Sequence, residues 1–171
     1  MKIKATTTAV CLLFFLLSCS KDNSTNIELN GALTDCPANT NCTYSYYNSA
    51  DFTASNQLVK GSFRVFAFKS GNSNSCGPSV QLYFKTALNS TILDISAKQI
   101  AAGQVTAYNM ICPCCEYFAA IYSKPIGGEI KGKRTDSNHW LINASIIFGN
   151  QSNTPIDTVT VNQYFTLEKL P

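Results

Sequence analysis

The densest concentration of reactive side chains in this chain is Met110-Ile111-Cys112-Pro113-Cys114-Cys115. Thiolates beside a thioether suit a soft metal, copper(I) or zinc, because sulfur is a polarisable donor. His139 is the only histidine, so it is the one imidazole that could join Cys112, Cys114 and Cys115 in such a set. The spacing matches no zinc pattern, since no pair of C-x-x-C motifs occurs. Redox catalysis fits these cysteines less well. A thiol–disulfide catalyst needs C-x-x-C at a helix N-terminus to lower the thiol pKa, whereas Cys112-Pro113-Cys114 has one intervening residue and lies between strand-like segments. Hydrolysis by a Ser-His-Asp group would use His139 as base, but His139 stands at a turn-to-strand junction before Trp140, and no G-x-S-x-G elbow occurs. The acids are scattered singly rather than paired for glycoside cleavage. Gly127-Gly128 lacks the Lys-Ser/Thr that would follow in a phosphate loop. No residue is assigned a catalytic role and no cofactor is implied, so the chain reads as a non-enzyme.

The compartment decides what the cysteines do. Lys2 and Lys4 precede an apolar run, Ala9 to Leu17, which is too short to cross a hydrocarbon layer of ~30 Å. A basic start, a short apolar core and a small residue before a cut make a secretory signal peptide. Leu16-Leu17-Ser18-Cys19 at its end resembles the lipobox of bacterial lipoproteins. That resemblance implies cleavage before Cys19 and acylation of Cys19, palmitate included, and two or more acyl chains anchor a protein stably where one does not. It also implies the outer membrane, because Ser20 is not the Asp that retains such proteins in the inner membrane. Ser20-Lys21-Asp22 is similar to the short tags of surface-displayed lipoproteins, and the periplasmic and surface faces both stay open. The expected organisation is a signal peptide over 1–18, a lipidated tether over 19–35 and one domain over 36–171.

Removal of the signal peptide takes Lys2 and Lys4 and no acid, leaving 11 basic against 10 acidic residues of the chain's 13 and 10. That near-neutral balance, with Lys131-Gly132-Lys133-Arg134 as the densest basic cluster, excludes nucleic acid as an expected partner. Of the eight cysteines, Cys11 leaves with the signal and Cys19 takes lipid. The remainder, Cys36, Cys42, Cys76, Cys112, Cys114 and Cys115, are an even set in an oxidising envelope, and disulfides are their default state. One consistent scheme joins Cys36 to Cys42 across a turn-rich loop and leaves two bonds among the other four.

The elements that must position these residues are strands. Thr43 to Tyr47 alternates. Leu58 to Lys69 is a strong β segment with Phe63, Val65 and Ala67 on one face and Arg64, Phe66 and Phe68 on the other. Both faces are partly apolar, which marks a central strand. Val80 to Lys85 alternates cleanly. Ile92 to Ile95 suits a strand, and Ala97 to Ala102 suits one helical turn stopped at Gly103. Val105 to Met110 and Tyr117 to Tyr122 read as strands, Pro125 with Gly127-Gly128 as a turn, Glu129 to Lys133 as a short charged strand, and Thr135 to Asn138 as a tight turn. Trp140, Ile142, Ala144, Ile146 and Phe148 alternate without a break. Val159, Val161, Phe165 and Leu167 form the facing set, which predicts an antiparallel hairpin with one face in the core. The fold class is therefore all-β: an antiparallel sandwich or small barrel of about seven to nine strands, stabilised by disulfides.

Eight tyrosines (Tyr44, Tyr46, Tyr47, Tyr83, Tyr108, Tyr117, Tyr122 and Tyr164) and Trp140 remain. They could line a glycan or peptide surface, but at strand positions half-buried cross-strand packing is the better expectation. The functional expectation is a lipid-anchored cell-envelope protein acting as a non-enzymatic binding or structural module, with a protein or glycan partner. The alternative is a copper- or zinc-binding lipoprotein using the Cys112–Cys115 cluster.

Overall fold

The computed structural model describes residues 29, 31–53, 55, 57–71, 79–110 and 124–171, without the side chains of 108–110. The expected signal peptide, Cys19, Cys76, the expected strand over 117–122 and the Cys112, Cys114 and Cys115 cluster lie outside the described residues.

The described chain is all-β, as its alternation predicts. The strands are β1 (Asn41–Phe52), β2 (Leu58–Lys60), β3 (Phe63–Gly71), β4 (Ser79–Ala87), β5 (Ile92–Ile95), β6 (Val105–Met110), β7 (Lys124–Arg134), β8 (His139–Gly149) and β9 (Pro155–Leu167). They form one sheet in the order β5-β7-β8-β9-β1-β3-β4-β6, with β2 added to β1, curled into a half-barrel. Every pairing is antiparallel except β1 with β9, where Ser45 and Tyr46 run parallel to Thr166 and Leu167. Glu168 extends that pairing by donating its N–H to the Tyr46 carbonyl at 2.9 Å.

The two ends of this sheet, β5 and β6, are consecutive in the chain. They are joined by α1 (Ala97–Gln99) and a π-helical turn (Ile100–Gln104) that packs on β7 and β6. The one expected helical turn is therefore the segment that closes the curl. It starts at Ser96, whose N–H donates to the Gln99 Oε1 at 2.9 Å, one half of a capping box. It ends at Gly103 with φ +88°, a left-handed stop that glycine adopts without steric cost. Ile100 projects from it into the core.

Trp140, Ile142, Ala144, Ile146 and Phe148 all face the concave side and are buried. They meet Tyr46, Phe66, Phe68, Leu82, Phe84, Val161 and Phe165 there. Leu167 ends the same hairpin but is exposed, because β9 has passed the rim of the core by that point. A second, smaller apolar cluster lies on the convex side of β1, β3 and β4, where Tyr47, Phe52, Leu58 and Leu170 cover Ala50, Val65, Ala67 and Tyr83. Apolar residues on both faces of β3 thus reflect two real cores.

Three local features depart from the alternation pattern. The expected segment Leu58–Lys69 splits at Gly61 and Ser62. A Cβ at Gly61 would lie 2.6 Å from the Asp51 Cβ, so glycine lets the chain pass close against β1 there. Pro125 and Gly127-Gly128 form no turn; they lie inside β7, which slips register between Pro125 and Gly127. Such a bulge absorbs an extra residue without ending the strand. β1 carries its own bulge between Tyr47 and Ala50, with Ser49 at φ +53°. That extra residue returns Ala50 and Phe52 to the same convex face as Tyr47.

Candidate functional site

The strand register fixes where the described candidate residues lie. At one end, β1 begins beside the end of β3, β3 beside the start of β4, and β4 beside the end of β6, through the pairs Asn41 with Gly71, Gly71 with Ser79, and Ser79 with Met110. Cys36 and Cys42 form a disulfide at this end, with a Cα–Cα separation of 5.8 Å. The segments holding Cys76 and Cys112–Cys115 leave from these same strand ends.

His139 stands at the opposite end of β8 from Gly149. It opens β8 opposite Thr166, while Lys124 and Gly149 pair at the far end of the same hairpin. Through Thr166 and Ser45 the register sets His139 level with a point four residues along β1 from Asn41. Cys112, Cys114 and Cys115 lie outside the described residues. Among the described residues, no three His, Cys, Asp or Glu side chains form a group that could hold a metal ion.

Around His139 is a shallow groove of about 820 Å³, lined by Asn48, Asn138, His139, Thr166, Leu167, Glu168, Lys169 and Leu170. His139 Nδ1 lies 2.9 Å from Asp136 Oδ2. The Asp136 carboxyl is held below its usual range, first by the N–H of Asn138 at 2.7 Å and then by His139. The tight turn expected over Thr135–Asn138 is present, and it is this carboxylate that shapes it. The Leu167 N–H donates to the Asn138 carbonyl at 3.0 Å, so the chain's last residues form one wall of the groove.

Beneath the groove lies a feature that alternation alone hides. Arg64 is only 7% exposed. Its Nε donates to Asn48 Oδ1 at 2.9 Å, Nη1 to the Ser90 carbonyl at 2.8 Å and Nη2 to the Leu88 carbonyl at 2.8 Å. Its guanidinium stands 5.0 Å from the Trp140 ring and 5.8 Å from Tyr46. Burial pushes its pKa down, although it stays a cation at any physiological pH. The bulge in β1 is what turns Asn48 toward it. Tyr46 closes the same layer by donating its hydroxyl to the Ser137 carbonyl at 3.2 Å, and desolvation raises that phenol's pKa. One buried cation thus ties β1, the β4–β5 turn and the start of β8 together with neutral acceptors. The only sequence signal for it was a lone charge sharing a strand face with Phe66 and Phe68.

The tyrosines form no exposed aromatic platform among the described residues. Tyr46 and Tyr83 are buried, Tyr44 and Tyr47 half-buried, and Tyr164 is exposed. Tyr44 stacks on Phe68 at 5.2 Å, which is cross-strand packing of the expected kind. No family model, no curated protein and no solved structure matches this chain.

Proposed function

We propose that this chain is a lipid-anchored protein of the cell envelope, held in the outer membrane through Cys19, whose half-barrel acts as a non-enzymatic binding or structural module. The observation that carries this reading is Leu16-Leu17-Ser18-Cys19 at the end of a short apolar run. The domain supports it by its build. The concave side is filled by Phe66, Phe84, Trp140 and Phe165, with ring centroids 5.1–6.0 Å apart, so recognition falls to the outer surface and the groove beside His139. A protein or glycan partner suits such a surface. The Cys36–Cys42 bond supports an oxidising compartment.

The alternative is a soft-metal lipoprotein. Three cysteines within four residues at Cys112, Cys114 and Cys115 favour it, with His139 as the one imidazole that could join them. One experiment separates the two. The intact mass of the membrane-extracted protein is measured after alkylation, with and without prior reduction, alongside metal analysis. Acyl mass on Cys19 with no alkylation before reduction supports the anchored disulfide scaffold. Two or more free thiols with bound copper or zinc overturn it in favour of the metal site, and an unmodified Cys19 removes the anchor.

A further inference from the structure

We propose that the outward face of β7, β8 and β9 is the surface on which the domain rests against anionic phospholipid headgroups; this rests on the Cys19 anchor. The side chains that point away from the core on these strands fall into lateral rows fixed by register. One row is Lys133, Leu141 and Tyr164, and the next is Lys131, Asn143 and Asn162. Tyr164 is 44% exposed and Leu33, on the segment that runs along β9, is 46% exposed. On the same face Lys124, Lys131 and Lys133 outnumber Glu129, which Lys131 pairs at 2.9 Å, and Asp94 of β5, which lies opposite Lys131. A tyrosine with an apolar ring and polar tip, and lysines with long stems, are the side chains that settle at headgroup depth.

The path of the chain points the same way. Gly31 to Thr34 is fastened to β9: the Thr34 N–H donates to the Asn162 carbonyl at 2.9 Å, and Asn162 Nδ2 donates to the Ala32 carbonyl at 3.0 Å. Asn162 points outward, so the chain enters the domain over this face. Residues 20–30 alone separate Cys19 from Gly31, and eleven residues reach at most about 40 Å in any conformation. Of the sheet's faces, this one therefore has the shortest path to the lipid. The convex side of β1, β3 and β4 is instead covered by β2 and Leu170.

Lysine footprinting of the intact lipidated protein tests this. The protein is reconstituted in phosphatidylglycerol vesicles, in phosphatidylcholine vesicles and in neutral detergent micelles, and each lysine's acetylation rate is read by peptide mass. We expect Lys131 and Lys133 to react at least three-fold more slowly in phosphatidylglycerol vesicles than in micelles. Lys60, Lys69 and Lys98, on other surfaces, should be unchanged. Equal rates at Lys131 and Lys133 in all three overturn the proposal. So does protection that rises with protein density but not with lipid charge, since a second copy would then be the cover. Intact mass from the same samples keeps the two readings apart. A chain without acyl mass on Cys19 refutes the anchor and this face with it, whereas an acylated chain with unprotected lysines refutes the face alone.

Discussion

Arg64→Met removes the buried cation while keeping an unbranched stem against Trp140. Three acceptors lose their donor: Asn48 Oδ1 at 2.9 Å and the Ser90 and Leu88 carbonyls at 2.8 Å. A hydrogen bond from a charged donor contributes about 1.5–3 kcal/mol, so the gross loss is about 4–9 kcal/mol. Two effects offset it. The guanidinium has no salt-bridge partner among the described residues, so its removal also removes a desolvation penalty of several kcal/mol. The Leu88 and Ser90 carbonyls lie in the turn between β4 and β5, where water can replace part of what they lose. The expected net destabilisation is about 2–4 kcal/mol. With a urea slope of about 2 kcal/mol/M, the midpoint falls by about 1–2 M at an unchanged slope. Equilibrium urea unfolding followed by fluorescence checks this directly, because Trp140 is the only tryptophan. Arg64→Lys offers one ammonium to three divergent acceptors and should fall between the two. A loss below about 0.5 kcal/mol for Arg64→Met, the level of an ordinary surface change, would refute the idea that this cation ties the rim together.

Three further outcomes follow from particular contacts. The Cys36–Cys42 bond closes a short loop, and chain entropy for a loop of that size gives about 2 kcal/mol. The Cys36→Ala, Cys42→Ala double variant should lose that much in non-reducing urea unfolding, and an unchanged midpoint would contradict it. Gly128 has φ +112° and a Cβ there would overlap the Ser145 carbonyl, so Gly128→Ala should cost about 3 kcal/mol or more by thermal unfolding, whereas Gly71→Ala, whose Cβ would meet only Ser79 at 3.8 Å among the described residues, should cost about 1 kcal/mol or less. The Asp51 carboxyl is held below its usual range, first by Lys85 Nζ at 2.7 Å. A depressed carboxylate contributes stability above its unfolded pKa of about 3.9 and loses it as pH falls through the folded value. With both partners roughly a third exposed or less, Asp51→Asn should cost under about 1 kcal/mol at pH 7. That cost should shrink as pH falls below the unfolded value and through the lower folded one, and a difference that stays constant on acidification would show that the pair is not its source.

The parts of this fold that were legible are those with strict period two. β8 could be read residue by residue because every second side chain from Trp140 to Phe148 is buried, and β3 could be placed centrally because both of its faces pack. The illegible parts are those where backbone geometry overrides composition. Gly127 and Gly128 look like turn residues, but a bulge can use the same left-handed freedom to continue a strand. At the site, His139 was visible as a lone histidine and its turn was visible in Thr135–Asn138. Arg64 was not, because a charge inside a strand pattern ordinarily marks the solvent face. Its burial depends on carbonyls 24 and 26 residues away, which no local window contains.

Closure of the sheet is a further property that alternation cannot supply, and the aromatic contacts explain why. Phe66 lies on β3 and Trp140 on β8, with β1 and β9 between them. In a flat sheet three strand spacings would hold them about 14 Å apart, yet their ring centroids are 5.1 Å apart with the rings at 72°. Phe66 also reaches Phe84 on β4 at 5.2 Å and Phe165 on β9 at 6.0 Å. Rings from four strands therefore converge on one point, which within a single sheet requires strong curvature. Any sequence with inward aromatics on several strands could satisfy them equally well by stacking two sheets. What selects the curl here is that β5 and β6, the two sheet edges, are joined by only nine residues, Ser96 to Gln104. A connection that short, with Ile100 buried beneath it, pulls the edges together around a single core.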